Sequence, residues 1–453
     1  MELTLSEIAK VIGAETFQFE ELTIRAVSTD SRIPIKDAIF FALKGERHNG
    51  HNFLWEAHKN GCISAVVEYI PPSPPSIPLL KVEDTITALG LLAGYYRDKF
   101  SPLCIGITGS TGKTTTKEML AHILQAKYRV LKTEKNFNNE IGVPLTLFQL
   151  EEEHSALIVE MAMRGKGQIA WLAKIAKPQI GVITNIGPAH LEFFNSLEEI
   201  AQAKAELLQA LPPNGTAILN LDDRFFPFLK KQSPCPVISF GFSPKADVSC
   251  EVLEKDEYIL LKIKTPKGEL TAKSYLEGEH NIINLLAAIA ASLPAGLSIE
   301  EIEKQIPTLP IPPMRLEQIK LPGNILVIND SYNSNPLSLR AALNYLREKD
   351  GRRIAVLGDM LELGEESEKL HREAGAWVKE AGVSFLILIG EKAKFIGEGA
   401  IEKGFPPQNV AYFPEKEGVV SFIREILEEK DTVLVKGSRK LQLEQIVEEL
   451  RKC

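Results

Sequence analysis

Apolar residues fall along this chain in short runs that stop abruptly at a polar side chain, with stretches of helical spacing between them. CIGIT (104–108) opens into a glycine-rich segment, SALIVE (155–160) ends at Glu160, IGVIT (180–184) leads to Asn185, and TAILN (216–220) leads to Asp222 and Asp223. Short unalternating runs predict strands covered on both faces, and the helices between them make the sheet largely parallel. In such sheets ligands gather beyond the carboxyl ends of the strands. The last third repeats the plan, with ILVIND reaching Asp330, RIAVLGD reaching Asp359, FLILIG reaching Gly390 and TVLVKGS reaching Ser438, which predicts a second open sheet. Two proline-rich passages, IPPSPPSIP (70–78) and PTLPIPP (307–313), divide the chain, and the second reads as a hinge. The expected fold is α/β in three domains: a mixed α/β domain over 1–99, a central parallel-sheet domain over 100–311 that its glycine-rich segment GITGSTGKTTT (106–116) makes P-loop ATPase-like, and a Rossmann-like domain over 312–453.

The segment GITGSTGKTTT (106–116) lies between the run ending Cys104-Ile105 and the helix former KEMLAHIL (117–124), the order strand, phosphate loop, helix. Its glycines let backbone N–H groups approach phosphate oxygens, and the helix N-terminus adds positive potential. Lys113 supplies a charge for the terminal phosphates and Thr114 a hydroxyl for magnesium. The spacing is not the usual one, because Ile107 stands where the first glycine is expected, so Gly109 must supply part of the turn. The triphosphate-binding set is then Gly109, Ser110, Thr111, Gly112, Lys113, Thr114 and Thr115. The plainer alternative is a glycine-rich connection with a solvated lysine.

Composition narrows the class. A chain of 453 residues with 44% hydrophobic and 25% charged residues can build two or three sizeable cores. A formal charge of -8 and a pI near 5.7 argue against a broad nucleic-acid surface while leaving room for a local basic pocket. Cys62, Cys104, Cys235, Cys250 and Cys453 are odd in number and show no CxxC spacing, which fits a reduced cytoplasm better than a disulfide frame or a zinc site. The acidic, helix-periodic start MELTLSEIAKVIGA does not read as a leader, and no run approaches membrane-spanning length.

Lys204 is the most informative residue outside the loop. Ser196 is a candidate N-cap with Glu199 three residues later, and the helix carries Leu197, Ile200, Leu207, Leu208 and Leu211 at helical spacing. Lys204 falls on that apolar stripe, where its ammonium either snorkels to the rim or serves a site. Glu160 is a hard oxygen donor suited to magnesium, and His190 follows the TNIGPAH turn. Taken singly, Glu160 pairs equally well with Arg164, and His190 reads equally well as a core histidine. Their shared placement at strand ends favours a site.

The ordered blocks STDSR (28–32), FFALKGERHNGHNF (40–53), the phosphate loop, NFNNEIGVPLTL (136–147), VEMAMRGKGQI (159–169), TNIGPAHLE (184–192), AKAEL (203–207) and GEHNIINLLAA (278–288) are followed by MR (314–315), DSYNSNP (330–336), LGDMLELGEES (357–367) and KGSR (436–439). Over essentially the whole sequence they resemble the Mur ligases of peptidoglycan synthesis. The resemblance implies an ATP-dependent ligase that phosphorylates the terminal carboxylate of a UDP-sugar-linked peptide and lets an amine attack the acyl phosphate. It assigns the UDP-sugar substrate to the first domain, ATP to the central one, and closure over ATP with amine binding to the last. DSYNSNP, where related members carry a DNPR-like block, implies D-alanyl-D-alanine as the amine and UDP-N-acetylmuramoyl-tripeptide as the acceptor.

By the same resemblance Lys113 contacts the ATP phosphates, Thr114 and Glu160 hold one magnesium, His190 helps hold a second, and Lys204 completes the set if carbamylated by carbon dioxide. Asn281 and Asn284 lie near the adenine, Arg315 reaches the phosphates, and Asp330 bonds the ribose. Tyr332, Asn333, Asn335 and Lys436 form a closing face, and Ser31, Arg32, Asn138 and Asn139 touch the substrate. Plainer readings are packing for Tyr332, a helix-start turn for Asn335-Pro336, a solvated strand end for Lys436, and ordinary turns for Asn138 and Asn139. HNGHNF stands where a DGHDF-like block is usual, and Ser334 where alanine is common. The expected protein is a cytoplasmic monomer that binds neither nucleic acid nor membrane. A folylpolyglutamate-type ligase is the nearest alternative, although it gives the STDSR-containing domain no purpose. A nucleotide-dependent regulatory protein ranks behind, since switching needs no convergent magnesium ligands.

Overall fold

The computed structural model describes the chain except for residues 18–20, 46, 47, 190, 256 and 453. Three large sheets organise it, beside a two-stranded one formed by Leu3–Thr4 and Thr23–Ile24. The first has five strands in the order Glu15–Phe17, Leu79–Lys81, Cys62–Val67, Ala38–Phe41 and Ala26–Ser28, parallel except at the Glu15–Phe17 edge. The proline-rich passage at 70–78 is therefore not a divider. It connects Cys62–Val67 to its parallel neighbour Leu79–Lys81, a place where residues without a free N–H lose no ladder bond. The chain leaves this sheet through the helix Thr85–Arg97, capped by Asp84, whose carboxylate accepts from Thr87 N at 2.6 Å. That helix packs on Leu5–Ile12 and also on the central helix Gln168–Ala176, where Gly90 leaves room for the Trp171 ring.

The second sheet has nine strands. Val130–Lys132, Ala156–Glu160, Leu103–Thr108, Ile180–Ile183, Thr216–Asn220 and Val237–Gly241 run parallel, and Val248–Lys255, Ile259–Thr265 and Gly268–Ser274 extend it with two antiparallel pairings. All four apolar runs predicted in this region are strands, and each ends where its polar residue begins. One face is covered by Lys113–Leu124 and Glu279–Ser292, the latter rich in alanine and buried almost all round, so that the two helices pack closely. Leu197–Gln209 covers the other face. Its cap is the predicted Ser196, whose hydroxyl accepts from Glu199 N at 3.2 Å.

The third sheet has six strands in the order Glu317–Leu321, Ile325–Asn329, Thr432–Lys436, Arg353–Gly358, Phe385–Ile389 and Val410–Phe413, parallel except for its first edge strand. The second proline-rich passage separates it from the central sheet, as expected. The strands leading to Asp330, Asp359 and Lys436 are parallel, and Asp330 and Lys436 share a cavity with residues from the central strand ends.

The helices Ser367–Glu380 and Lys394–Glu402 cross on glycine. A Cβ on Gly375 would stand 2.3 Å from Ala400 N and 2.3 Å from Ile396 O, both backbone atoms that cannot rotate away. Gly375→Ala is expected to cost the last domain about 1–3 kcal/mol through overpacking, read as a lower unfolding midpoint; an unchanged midpoint would show that the two helices can separate freely.

Candidate active site

The strand Leu103–Thr108 delivers the chain into Gly109–Gly112, and the helix Lys113–Leu124 starts immediately after it. Gly106 does not belong to the turn, as the sequence reading had it. It lies within the strand, where the missing side chain admits Leu207 Cδ1, which would be 2.8 Å from a Cβ. The turn begins at Gly109, with φ 152°, and a Cβ there would meet Thr184 Oγ1 at 1.9 Å. Gly112 adopts φ 78°, and its Cβ would meet Asn284 Oδ1 at 2.2 Å. The neighbouring strand end pins the loop: Ser110 N donates to Asn185 O (3.0 Å), Thr111 N to Asn185 Oδ1 (3.0 Å), and Ser110 Oγ to Gly187 O (3.0 Å). Lys113 Nζ folds back on its own loop and donates to Gly109 O at 2.7 Å. Burial holds its ammonium below the ordinary lysine range, with Glu160 opposing the shift and Arg315 reinforcing it.

Glu160 closes the floor of the site and is 2% exposed. Its Oε1 accepts from Asn138 Nδ2 at 2.8 Å, whereas Oε2 is buried without a hydrogen-bond donor. The alternative pairing with Arg164 is not made; Arg164 reaches Glu362 instead, at 3.2 Å. The cation nearest Oε2 in the ion pairs is Lys117, at 3.8 Å.

Lys204 is 1% exposed, so the snorkelling reading fails. The apolar stripe draws the whole side chain inside, and among the described residues no acid lies within ion-pair distance of it. Burial pushes its ammonium well below the ordinary range, and the charge of Lys113 pushes it further. It sits behind the cavity wall and is not part of its lining.

The last domain supplies the opposite wall. Arg315 Nη2 donates to Thr114 Oγ1 at 3.0 Å, and its guanidinium lies over the Tyr332 ring at 4.3 Å. Met314 (φ 58°) and Leu316 (φ 54°) hold Arg315 between two left-handed residues, at roughly 1–2 kcal/mol each. Lys436 is 2% exposed and not a solvated strand end: Nζ donates to Asp330 Oδ2 (2.6 Å) and Asn333 O (2.9 Å). Burial lowers its ammonium, Asp330 opposes that, and Arg315 adds to it. His280 is held down to about 4 by burial, so the imidazole in this wall is neutral.

Between these walls lies a cavity of about 790 Å³, within the range of nucleotide-sized sites. It brings together Ser110, Thr111, Gly112, Lys113, Thr114 and Thr115 with Glu160, Asn138 and Asn139. Asn281, Asn284, Arg315, Asp330, Tyr332, Asn333, Asn335 and Lys436 line it too. Several of these amides are already employed: besides Asn138, Asn281 Nδ2 donates to Glu277 O (2.8 Å), Asn139 Oδ1 accepts from Gly142 N (2.9 Å), and Asn335 Oδ1 caps Pro336–Arg347 through Ser338 N (2.9 Å). Ser31 and Arg32 lie apart in the first domain, Ser31 bonded to Glu56 and Arg32 paired with Asp30 at 2.7 Å. His190 lies outside the described residues.

Sequence reasoning named Asn185 only as a strand end, without a role, and missed His280 and Lys117. The spacing of Lys117, four residues after Lys113, was the available signal. In HNGHNF, Asn49 and His51 form a local knot: His51 Nε2 accepts from Glu68 N at 2.8 Å, and the ring stacks on Tyr69 at 4.2 Å. Among the described residues, Cys62, Cys104, Cys235 and Cys250 are free thiols, and no helix is long and apolar enough to cross a membrane. Among the described residues no group of three or more His, Cys, Asp or Glu side chains is placed to hold a metal ion.

Residues 107–292 match the Mur ligase middle domain, and residues 314–439 match the Mur ligase glutamate ligase domain. A UDP-N-acetylmuramoyl-tripeptide--D-alanyl-D-alanine ligase of Bacillus subtilis is 37% identical, covering 99% of this chain and 98% of its own length. A crystal structure of MurF from Acinetobacter baumannii superposes with a TM-score of 0.92 at 32% identity, covering 100% of this chain and 99% of its own. The MurF ligase of Thermotoga maritima in complex with ADP gives 0.84 at 28% identity, covering 94% of this chain and 97% of its own. Matched in its central and last domains and along its full length, the chain belongs to the Mur ligase family.

Proposed function

We propose that the protein joins D-alanyl-D-alanine to UDP-N-acetylmuramoyl-tripeptide at the expense of ATP, in the cytoplasm, as a step of peptidoglycan precursor synthesis. The observation that carries this reading is the cavity in which a phosphate loop, a buried carboxylate oxygen without a donor and the cations of the last domain converge. The full-length likeness to a ligase of that name supports the choice of substrates. Residues 1–99 would take the UDP-sugar end of the acceptor, 100–311 the ATP, and 312–453 the amine.

A carboxylate resists attack by an amine at neutral pH. Transfer of the terminal phosphoryl group removes its charge and provides a leaving group, so the residues must gather negative oxygens and exclude water. Lys113 would turn from Gly109 O to the terminal phosphates, and Arg315 would turn from Thr114 Oγ1 to the same charge. The undonated Glu160 Oε2 and the Thr114 hydroxyl fit magnesium, which when bound would neutralise phosphate charge. Burial and the charge of Lys113 lower the Lys204 ammonium well below the ordinary range, which favours the free amine that adds to carbon dioxide; the new N–C bond releases a proton and would yield an anionic oxygen donor. His190 is retained for a second magnesium on the family resemblance alone. Tyr332, Asn333 and Lys436 would close over the reacting groups and limit hydrolysis of the acyl phosphate.

Incubation with ATP, the UDP-linked tripeptide and D-alanyl-D-alanine is expected to give amide product and ADP together, and free glutamate in place of the dipeptide to give neither. ATP hydrolysis without amide product across a panel of acceptors and amines would contradict the assignment. Lys204→Ala is expected to lower turnover on the order of 10²–10³ or more, with partial recovery on adding a short carboxylic acid; near-normal turnover would refute the carbamate.

A further inference from the structure

Lys117 belongs to no phosphate-binding pattern and has no part in the roles above, yet it is 0% exposed. It stands one helical turn beyond Lys113 on the same face of Lys113–Leu124. Its Nζ donates to the backbone oxygen of Thr133 (2.5 Å), lies 3.2 Å from Glu118 Oε1 and 3.8 Å from Glu160 Oε2. The other oxygen of Glu118 is held by Lys132. Thr133 is fully buried, and its Oγ1 accepts from Glu160 N at 3.0 Å. From Thr133 the chain runs to Asn138, whose amide returns to Glu160 Oε1.

One ammonium therefore ties the phosphate-loop helix to the ends of two strands. At 3.8 Å it draws the Glu160 carboxylate electrostatically without donating to it, which leaves Oε2 with its lone pairs unused. Removing the ammonium would leave Glu118 and Glu160 as like charges across the space it filled, and would release the Thr133 carbonyl.

We infer that Lys117 is a positioning residue, a buried ammonium that sets Glu160 and the loop following Thr133 against the phosphate-loop helix so that a divalent cation arriving with nucleotide finds Oε2 in place. This rests on the reading of Glu160 as a magnesium ligand. A purely structural lysine would change stability while leaving the cation dependence of each folded molecule unchanged.

The test is calorimetric titration of ADP into the wild-type protein and Lys117→Met, once with magnesium chloride and once with EDTA. Lys117→Met should keep the ADP affinity measured in EDTA and lose about 10-fold or more of the magnesium-dependent gain. Lys117→Met/Glu118→Gln, which withdraws the acid left facing the gap, provides a folded background if the single variant does not fold, and should show the same deficit. A full magnesium gain in either variant, or an equal fall in EDTA and in magnesium, would overturn the inference. Absence of any magnesium gain in the wild type would instead sink the reading of Glu160 and the inference with it.

Discussion

Charge placed beyond the reach of water is the constraint around which the catalytic half of this protein is built. Lys117, Lys204, Lys436 and Glu160 are each no more than 2% exposed; Lys436 and Glu160 line the cavity, and Lys117 and Lys204 stand outside its lining. An uncompensated buried charge is costly, so each must find a partner or give up its charge. Lys436 has Asp330 at 2.6 Å, and Lys117 has Glu118 and Glu160. Lys204 has no acid near it among the described residues and gives up its proton readily. Glu160 keeps one oxygen that nothing donates to. On the proposed reading, a cation entering the cavity with nucleotide would meet that Glu160 oxygen.

The fold makes that arrangement possible by aiming two sheets at one another. Carboxyl ends of the central parallel strands face those of the last domain, so backbone N–H groups, acids and lysines from distant parts of the chain share one cavity. Close approach depends on small residues at defined points. Gly109 and Gly112 let the loop pass beside Thr184 and Asn284, and Gly106 lets the Lys204 helix settle on the phosphate-loop strand. Across the gap the polar contacts include Arg315 to Thr114, Arg164 to Glu362 at 3.2 Å, Lys255 to Glu348 at 2.7 Å and Lys349 to Glu277 at 3.3 Å, and Leu337 packs against Gly187.

Much of this was legible in the sequence because the strands announce themselves locally. An unbroken apolar run ending in Glu160 or Asp330 marks both a strand and the point where it opens on the cavity. The Ser196 cap and the stripe through Leu207 likewise required only nearby residues. What escaped depended on distant partners. Lys117 looks like any helix-face lysine until Thr133 and Glu160 are brought beside it, and nothing local in IPPSPPSIP distinguishes a crossover between paired strands from a boundary. Gly106 was taken for loop because its reason for being glycine is Leu207, a hundred residues away in the sequence. Asn139 and Asn335 show the converse, since their turn and cap roles were readable and are made alongside a place in the cavity wall.

The central claim is that ATP phosphorylates an acceptor carboxylate inside this cavity before the amine arrives. Acceptor tripeptide carrying oxygen-18 in its terminal carboxyl group tests it most directly. The account predicts that each turnover moves one labelled oxygen from the carboxyl group into the released inorganic phosphate. Phosphate free of label, with the amide nevertheless formed, would contradict it.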